Sequence, residues 1–124
     1  MKEHPLKKWH NFDLLAENVP DFRLVDYTLV QEFVIRYGRD RHDGMTCTVE
    51  LQLCKDYGIS PVVIVRFFDV SGLKIIETHQ ISGLAVLDAR DLQWDRARFK
   101  VTDYEGGAIE FYCHDLELDW KEWR

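Results

Sequence analysis

The nine residues Thr46–Cys54 constrain the chain more than any others. Cys47, Val49, Leu51 and Leu53 alternate without a break with Thr46, Thr48, Glu50 and Gln52. Successive side chains of an extended strand point to opposite faces, so a period of two sends the first set into a core and the second towards water. The segment reads as a half-buried antiparallel strand, and a slip of one residue would turn all four apolar side chains outward. On this reading Leu51→Ala costs about 2–5 kcal/mol. Glu50→Ala, on the water side, is expected to change stability by no more than about 0.5 kcal/mol.

Much of the remaining chain follows the same period. Phe22–Val30 is aromatic and β-branched and reads as a strand that continues through Phe33, Ile35 and Tyr37, and the polar loop Gly38–Gly44 joins it to the next strand. Lys55–Pro61 is a turn, and Val62–Val70 is apolar on both faces apart from Arg66, as a strand covered on two sides would be. Val70-Ser71-Gly72-Leu73-Lys74-Ile75 is echoed eleven residues later by Ile81-Ser82-Gly83-Leu84-Ala85-Val86, which suggests two adjacent strands, each entered through a glycine. Phe99 and Val101, then Ile109, Phe111 and Cys113, flank the turn Asp103–Gly107, where Gly106 or Gly107 is expected at positive φ. From Leu116 the apolar residues move to even positions (Leu116, Leu118, Trp120), which places a bend at His114-Asp115.

The period of 3.6 occurs once. Phe12, Leu15, Ala16 and Val19 share one helical face, with Asn11 as the expected N-cap, Asp13 near the positive end of the helix dipole, and Pro20 as the stop. The 124 residues thus read as a single domain, 1–124, with a helix over about 12–18 and strands within 22–119. The expected class is mainly β: an antiparallel β-sandwich or rolled sheet of about seven to eight strands with one short N-terminal helix.

Composition removes several classes of function. With 46% hydrophobic and 31% charged residues the chain is not disordered. The longest apolar run, Val62-Val63-Ile64-Val65, is far short of the roughly 20 residues of a membrane span, and residues 1–5 lack the apolar run of a signal peptide. No membrane association is expected, and three cysteines, one necessarily unpaired, suit a reducing cytoplasm. The net charge is −6, of which −5 falls within residues 103–124. Such a chain repels phosphate backbones, so nucleic acid is not an expected partner, and the cluster Arg96, Arg98 and Lys100 reads as the solvated face of a strand.

Catalytic patterns are sparse. Ser60, Ser71 and Ser82 sit in turn settings without a nucleophile-elbow sequence, and Cys47 and Cys113 fall on the apolar phase of strands, where a buried thiol is inert. No Cys-x-x-Cys or clustered Cys/His spacing points to a metal, and no glycine-rich phosphate loop points to a cofactor, so none is expected. His42, within a charged loop, and His114, at the bend, are the candidates for general acid–base work. They leave open a small β-fold hydrolase or ligand-binding protein whose His-lined pocket includes His42, His79 or His114. Two or more histidines converging with a carboxylate would favour that alternative.

A binding protein is the first expectation. Glu110, Glu117 and Asp119 occupy outward strand positions in the acidic C-terminal stretch, and Trp120 lies at its margin as an anchor, a combination that suits a partner protein with a basic surface. Unpaired sheet edges also allow a homodimer.

The order of elements resembles a known family. A short helix ending in Pro20-x-Phe22-x-Leu24, a β-hairpin, the pattern Val65-x-Phe67-x-x-Val70-x-x-Leu73-x-Ile75 and the closing Ile109-x-Phe111-x-Cys113 are similar to the bacterial immunity protein 50 family and its small β relatives, over residues 12–118. The resemblance implies a cytoplasmic protein that neutralises a toxin domain by binding it, without catalysis of its own. It carries over no functional residue.

Overall fold

The computed structural model describes residues 2–39, 41–42, 44–59, 61–77, 79–89, 98–105 and 107–123. Arg96, Ser60 and Gly106, singled out above, lie outside the described residues. The elements are the helix α1 (Phe12–Asn18) and strands β1 (Leu29–Arg39), β2 (Met45–Cys54), β3 (Val62–Phe68), β4 (Ser71–Ile75), β5 (Leu84–Asp88), β6 (Phe99–Asp103), β7 (Ile109–Cys113) and β8 (Asp115–Lys121). They form two four-stranded antiparallel sheets, ordered β1-β2-β3-β8 and β4-β7-β6-β5, as expected for a mainly β chain with one helix.

The two sheets are halves of one folded ribbon. β3 pairs with β8 in the first sheet and β4 with β7 in the second, so the ribbon β3–β4 runs antiparallel to β7–β8 through both. Both strands of the ribbon bend at one corner. Asp69 takes the left-handed conformation (φ 54°), and the His114 amide donates to the Phe68 carbonyl at 2.9 Å. The non-extended backbone at this corner takes up one position of the alternation, which is the physical source of the shift in apolar phase at His114-Asp115.

The core lies between the sheets. Val49, Leu51 and Leu53 of β2, Val63, Val65 and Phe67 of β3, and Leu116 and Leu118 of β8 face Phe99, Val101, Ile109, Phe111 and Cys113. Phe67 and Phe111 meet edge-on across the interface with ring centroids 4.9 Å apart, the geometry that aromatic quadrupoles favour. α1 lays the fully buried Leu15 and the buried Val19 against this core beside β8. The N-terminal segment covers two sheet edges. His4 N–H donates to Val86 and Asp88 N–H to Lys2 along β5, and Leu118 N–H donates to His10 along β8.

Four local expectations are corrected. Phe22–Thr28 is not strand: Leu24–Asp26 forms a 3-10 turn that buries Leu24 and Tyr27 on one side, and β1 begins only at Leu29. Asn11 does not cap α1 with its side chain. It is itself left-handed (φ 67°), and its Nδ2 reaches the Leu118 carbonyl at 3.3 Å, so it ties the helix to β8. The echoed segments are not neighbours, because β4 and β5 form opposite edges of the second sheet, although Gly72 and Gly83 both have positive φ and a bulge follows Ser71. Glu50 and Gln52 do not face open water; both are buried.

Candidate functional site

The burial of Glu50 marks the site. On the outer face of the first sheet, sheet register places Glu50 opposite Arg66, and Arg66 opposite Glu117. Arg66 is the one charge in the apolar run of β3, and a guanidinium on a central strand must find counter-charges from the strands on either side. It does so. Nε donates to Glu50 Oε1 at 2.8 Å, and Nη1 donates to Glu117 Oε1 at 3.2 Å and to Asp119 Oδ2 at 3.3 Å. Gln52 Nε2 donates to the other Glu50 oxygen at 2.9 Å, and Arg36 on β1 approaches Glu50 to 3.8 Å.

Electrostatics in the cluster follow from this geometry. Burial by itself pushes the Glu50 carboxyl up, but hydrogen bonds from Gln52 and Arg66 and the charges of Arg66 and Arg36 outweigh it and hold the group below the usual carboxylate range. Burial likewise pushes Arg66 down, and its carboxylate partners outweigh that and hold it protonated more firmly than a free guanidinium. Exposure increases across the cluster, with the side chain of Glu50 at 7%, Arg66 at 30%, Glu117 at 32% and Asp119 at 45%. Three carboxylates thus converge on one guanidinium, the innermost is locked, and the two on β8 present free lone pairs to solvent.

The outward residues of the acidic stretch divide between the two sheets. Glu117 and Asp119 come together at Arg66, whereas Glu110 lies on β7 of the second sheet, where Lys100 donates to it at 2.9 Å and holds its carboxyl low. Trp120 occupies the inward phase opposite Val63 and packs, partly buried, against the core. Trp123 stacks edge-on with Tyr57, centroids 5.9 Å apart.

Comparison with known proteins places the chain in a family. The model of a family described as immunity protein PIM8 matches residues 15–119, from within α1 almost to the end of β8. The chain belongs to that family. No curated protein and no solved structure matches it. The expected kinship with immunity proteins therefore holds, and the family matched is PIM8 and not immunity protein 50.

Two of the five histidines of this PIM8 protein converge with a carboxylate in one depression, and the three weighed from the sequence are not among the residues lining it. His42 is exposed in the β1–β2 loop, and His114 sits at the corner between the sheets, partly buried. His79 pairs with Glu77 in an exposed segment. His4 and His10, which were not singled out by pattern, do share a depression of about 500 Å³ with Asp115, and His10 Nε2 lies 3.2 Å from Asp115. No serine, threonine or cysteine is among the described residues lining it, so the pair has no covalent nucleophile beside it. Burial pushes the Cys113 thiol far up and also raises Cys54 and Cys47, which disfavours the thiolate form of each.

Pattern reading missed Arg66 and Glu50 as a pair, and it also missed Asp103. This buried carboxylate accepts from Ser82 N–H at 2.8 Å, from the Ser82 hydroxyl, from Gly83 N–H at 3.2 Å and from Ala108 N–H at 3.2 Å. It anchors both the β6–β7 turn and the entry to β5. The available signal was the lone charge of Arg66 inside an apolar run, which already demanded a partner across the sheet.

Proposed function

We propose that this protein is a non-enzymatic immunity protein that binds and neutralises a toxin domain in the cytoplasm, and that the outer face of the first sheet around Arg66 meets a basic surface of that domain. The observation that carries the reading is the family match over residues 15–119. The acidic cluster supports the choice of face. Arg66 holds Glu117 and Asp119 in place, so little side-chain freedom is lost when a cationic partner docks, and their excess negative charge steers its approach.

The test is capture of a toxin domain encoded beside this chain, by wild type and by Glu117→Gln/Asp119→Asn. Neutral isosteres are preferred to lysines, which would confront Arg66 with like charges. The expected result is weaker capture by the double variant at an unchanged melting temperature. Association of the wild type should slow as salt rises to physiological strength, where the Debye length is about 8 Å. Equal capture by both proteins with salt-independent rates would remove this face from the contact.

A further inference from the structure

The four sheet edges are treated differently. The N-terminal segment pairs with β5 and with β8. β4 is short, five residues, and bulged at a left-handed Gly72. β1 is eleven residues long. Among the described residues its outer edge is covered at the start, where Val30 N–H donates to His79 and Ile81 N–H donates to Thr28. Beyond Val30, no segment among the described residues pairs with β1 on the side away from β2. A long open edge is a template for another strand unless its side chains oppose the pairing.

The side chains of β1 invite one register. Glu32, Val34 and Arg36 lie opposite Gln52, Glu50 and Thr48 on the outer phase, and Phe33 and Ile35 lie opposite Leu51 and Val49 on the inner phase, partly buried against the core. The segment Glu-Phe-Val-Ile-Arg is therefore complementary to itself when reversed about Val34. Edge charges of one sign would repel a second copy in every register, whereas these two have opposite signs at equal distances from one residue. We propose that two copies of this chain pair antiparallel through β1 about a two-fold axis at Val34, joining their first sheets into one continuous sheet.

In that arrangement Glu32 of each copy faces Arg36 of the other, and Phe33 faces Ile35, each pair occurring twice by symmetry. Opposite charges and apolar pairs directly across an antiparallel ladder are both stabilising. The Arg36 side chain is 60% exposed, so its approach to Glu50 leaves it free to turn to a second carboxylate. The His79–Ile81 segment confines the pairing to Glu32–Arg36 on each copy. Such a short interface belongs to the small, weakly associating class. The inference does not depend on the proposed toxin-binding role.

The experiment measures self-association of the full chain by light scattering and sedimentation between about 1 μM and 1 mM, the range suited to weak interfaces. Wild type should pass from monomer to dimer within it. Glu32→Arg should weaken the dimer about tenfold, since two like-charged pairs replace two attractive ones. Glu32→Arg/Arg36→Glu should restore it, and melting curves confirm that each variant is folded.

Register is read separately by oxidation. Val34→Cys should give a disulfide-linked dimer, because the axis brings the two residues face to face. Glu32→Cys should not, because its symmetry mate lies about 13 Å away, four strand residues along. A protein that stays monomeric throughout overturns the proposal. So does a dimer indifferent to the charge exchange, or one that Glu32→Cys links as readily as Val34→Cys.

Discussion

Glu50→Ala separates a reading of the strand alone from a reading of the folded sheet. Strand pattern places Glu50 on the solvent side, where truncation is nearly neutral. In the structure the substitution removes the acceptor of the 2.8 Å bond from Arg66 and of the 2.9 Å bond from Gln52, whose Oε1 already has no hydrogen-bond partner. A hydrogen bond to a charged group contributes about 1.5–3 kcal/mol, and orphaning a buried amide costs about 1–3 kcal/mol more. Arg66 keeps Glu117 and Asp119 and remains partly solvated, which offsets part of this loss. The expected net destabilisation is about 2–3 kcal/mol, a fall in melting temperature on the order of 10 °C. Urea melts of Glu50→Ala, Arg36→Ala and Leu51→Ala make the comparison internal. Arg36 sits 3.8 Å from Glu50 with a mostly exposed side chain, so its removal should cost less than about 0.5 kcal/mol. Leu51, with no exposed surface, should cost about 2–5 kcal/mol. A Glu50→Ala protein within about 0.5 kcal/mol of wild type would refute the argument that Arg66 and Glu50 form a buried, mutually dependent pair.

Three further outcomes are expected. Asp103→Ala should destabilise by about 2–4 kcal/mol, since it leaves the Ser82, Gly83 and Ala108 amides without their acceptor; hydrogen exchange at those amides should accelerate before that of β2. Gly107→Ala should cost about 1 kcal/mol in denaturant melts, because φ is +59° there although open space surrounds the position. Acid should destabilise the fold through Glu50 and Asp103, both held below their ordinary range by hydrogen bonds that outweigh burial. A carboxylate with a depressed folded pKa contributes stability that is complete above its unfolded value, about 4, and is lost as pH falls through the folded value. Urea midpoints measured from pH 6 down to pH 2 should therefore drop below about pH 4, and less steeply in Glu50→Gln and Asp103→Asn.

Features that depend on neighbours along the chain were legible in the amino-acid order. The alternation in Thr46–Cys54 is a property of extended backbone, so the inward set Val49, Leu51 and Leu53 was legible without a fold. The turn after Asp103 was legible because Gly107 tolerates positive φ, and the helix because Leu15 and Val19 share a face and Pro20 ends it. The corner at His114-Asp115 announced itself as a change of apolar phase. Features that depend on strand order emerged only on folding. Glu50 and Gln52 look solvent-facing on β2 and become buried because β3 brings Arg66 to one side and β1 lies on the other. Glu117 and Asp119 meet Arg66, and Glu110 does not, because β7 and β8 lie on either side of the corner in different sheets. Phe22–Thr28 has strand-like composition, yet it turns because Leu24 and Tyr27 both reach the core that way. Composition and period record which face of a local segment is apolar. They carry no record of which distant strand lies beside it, and a buried ion pair exists only through that adjacency.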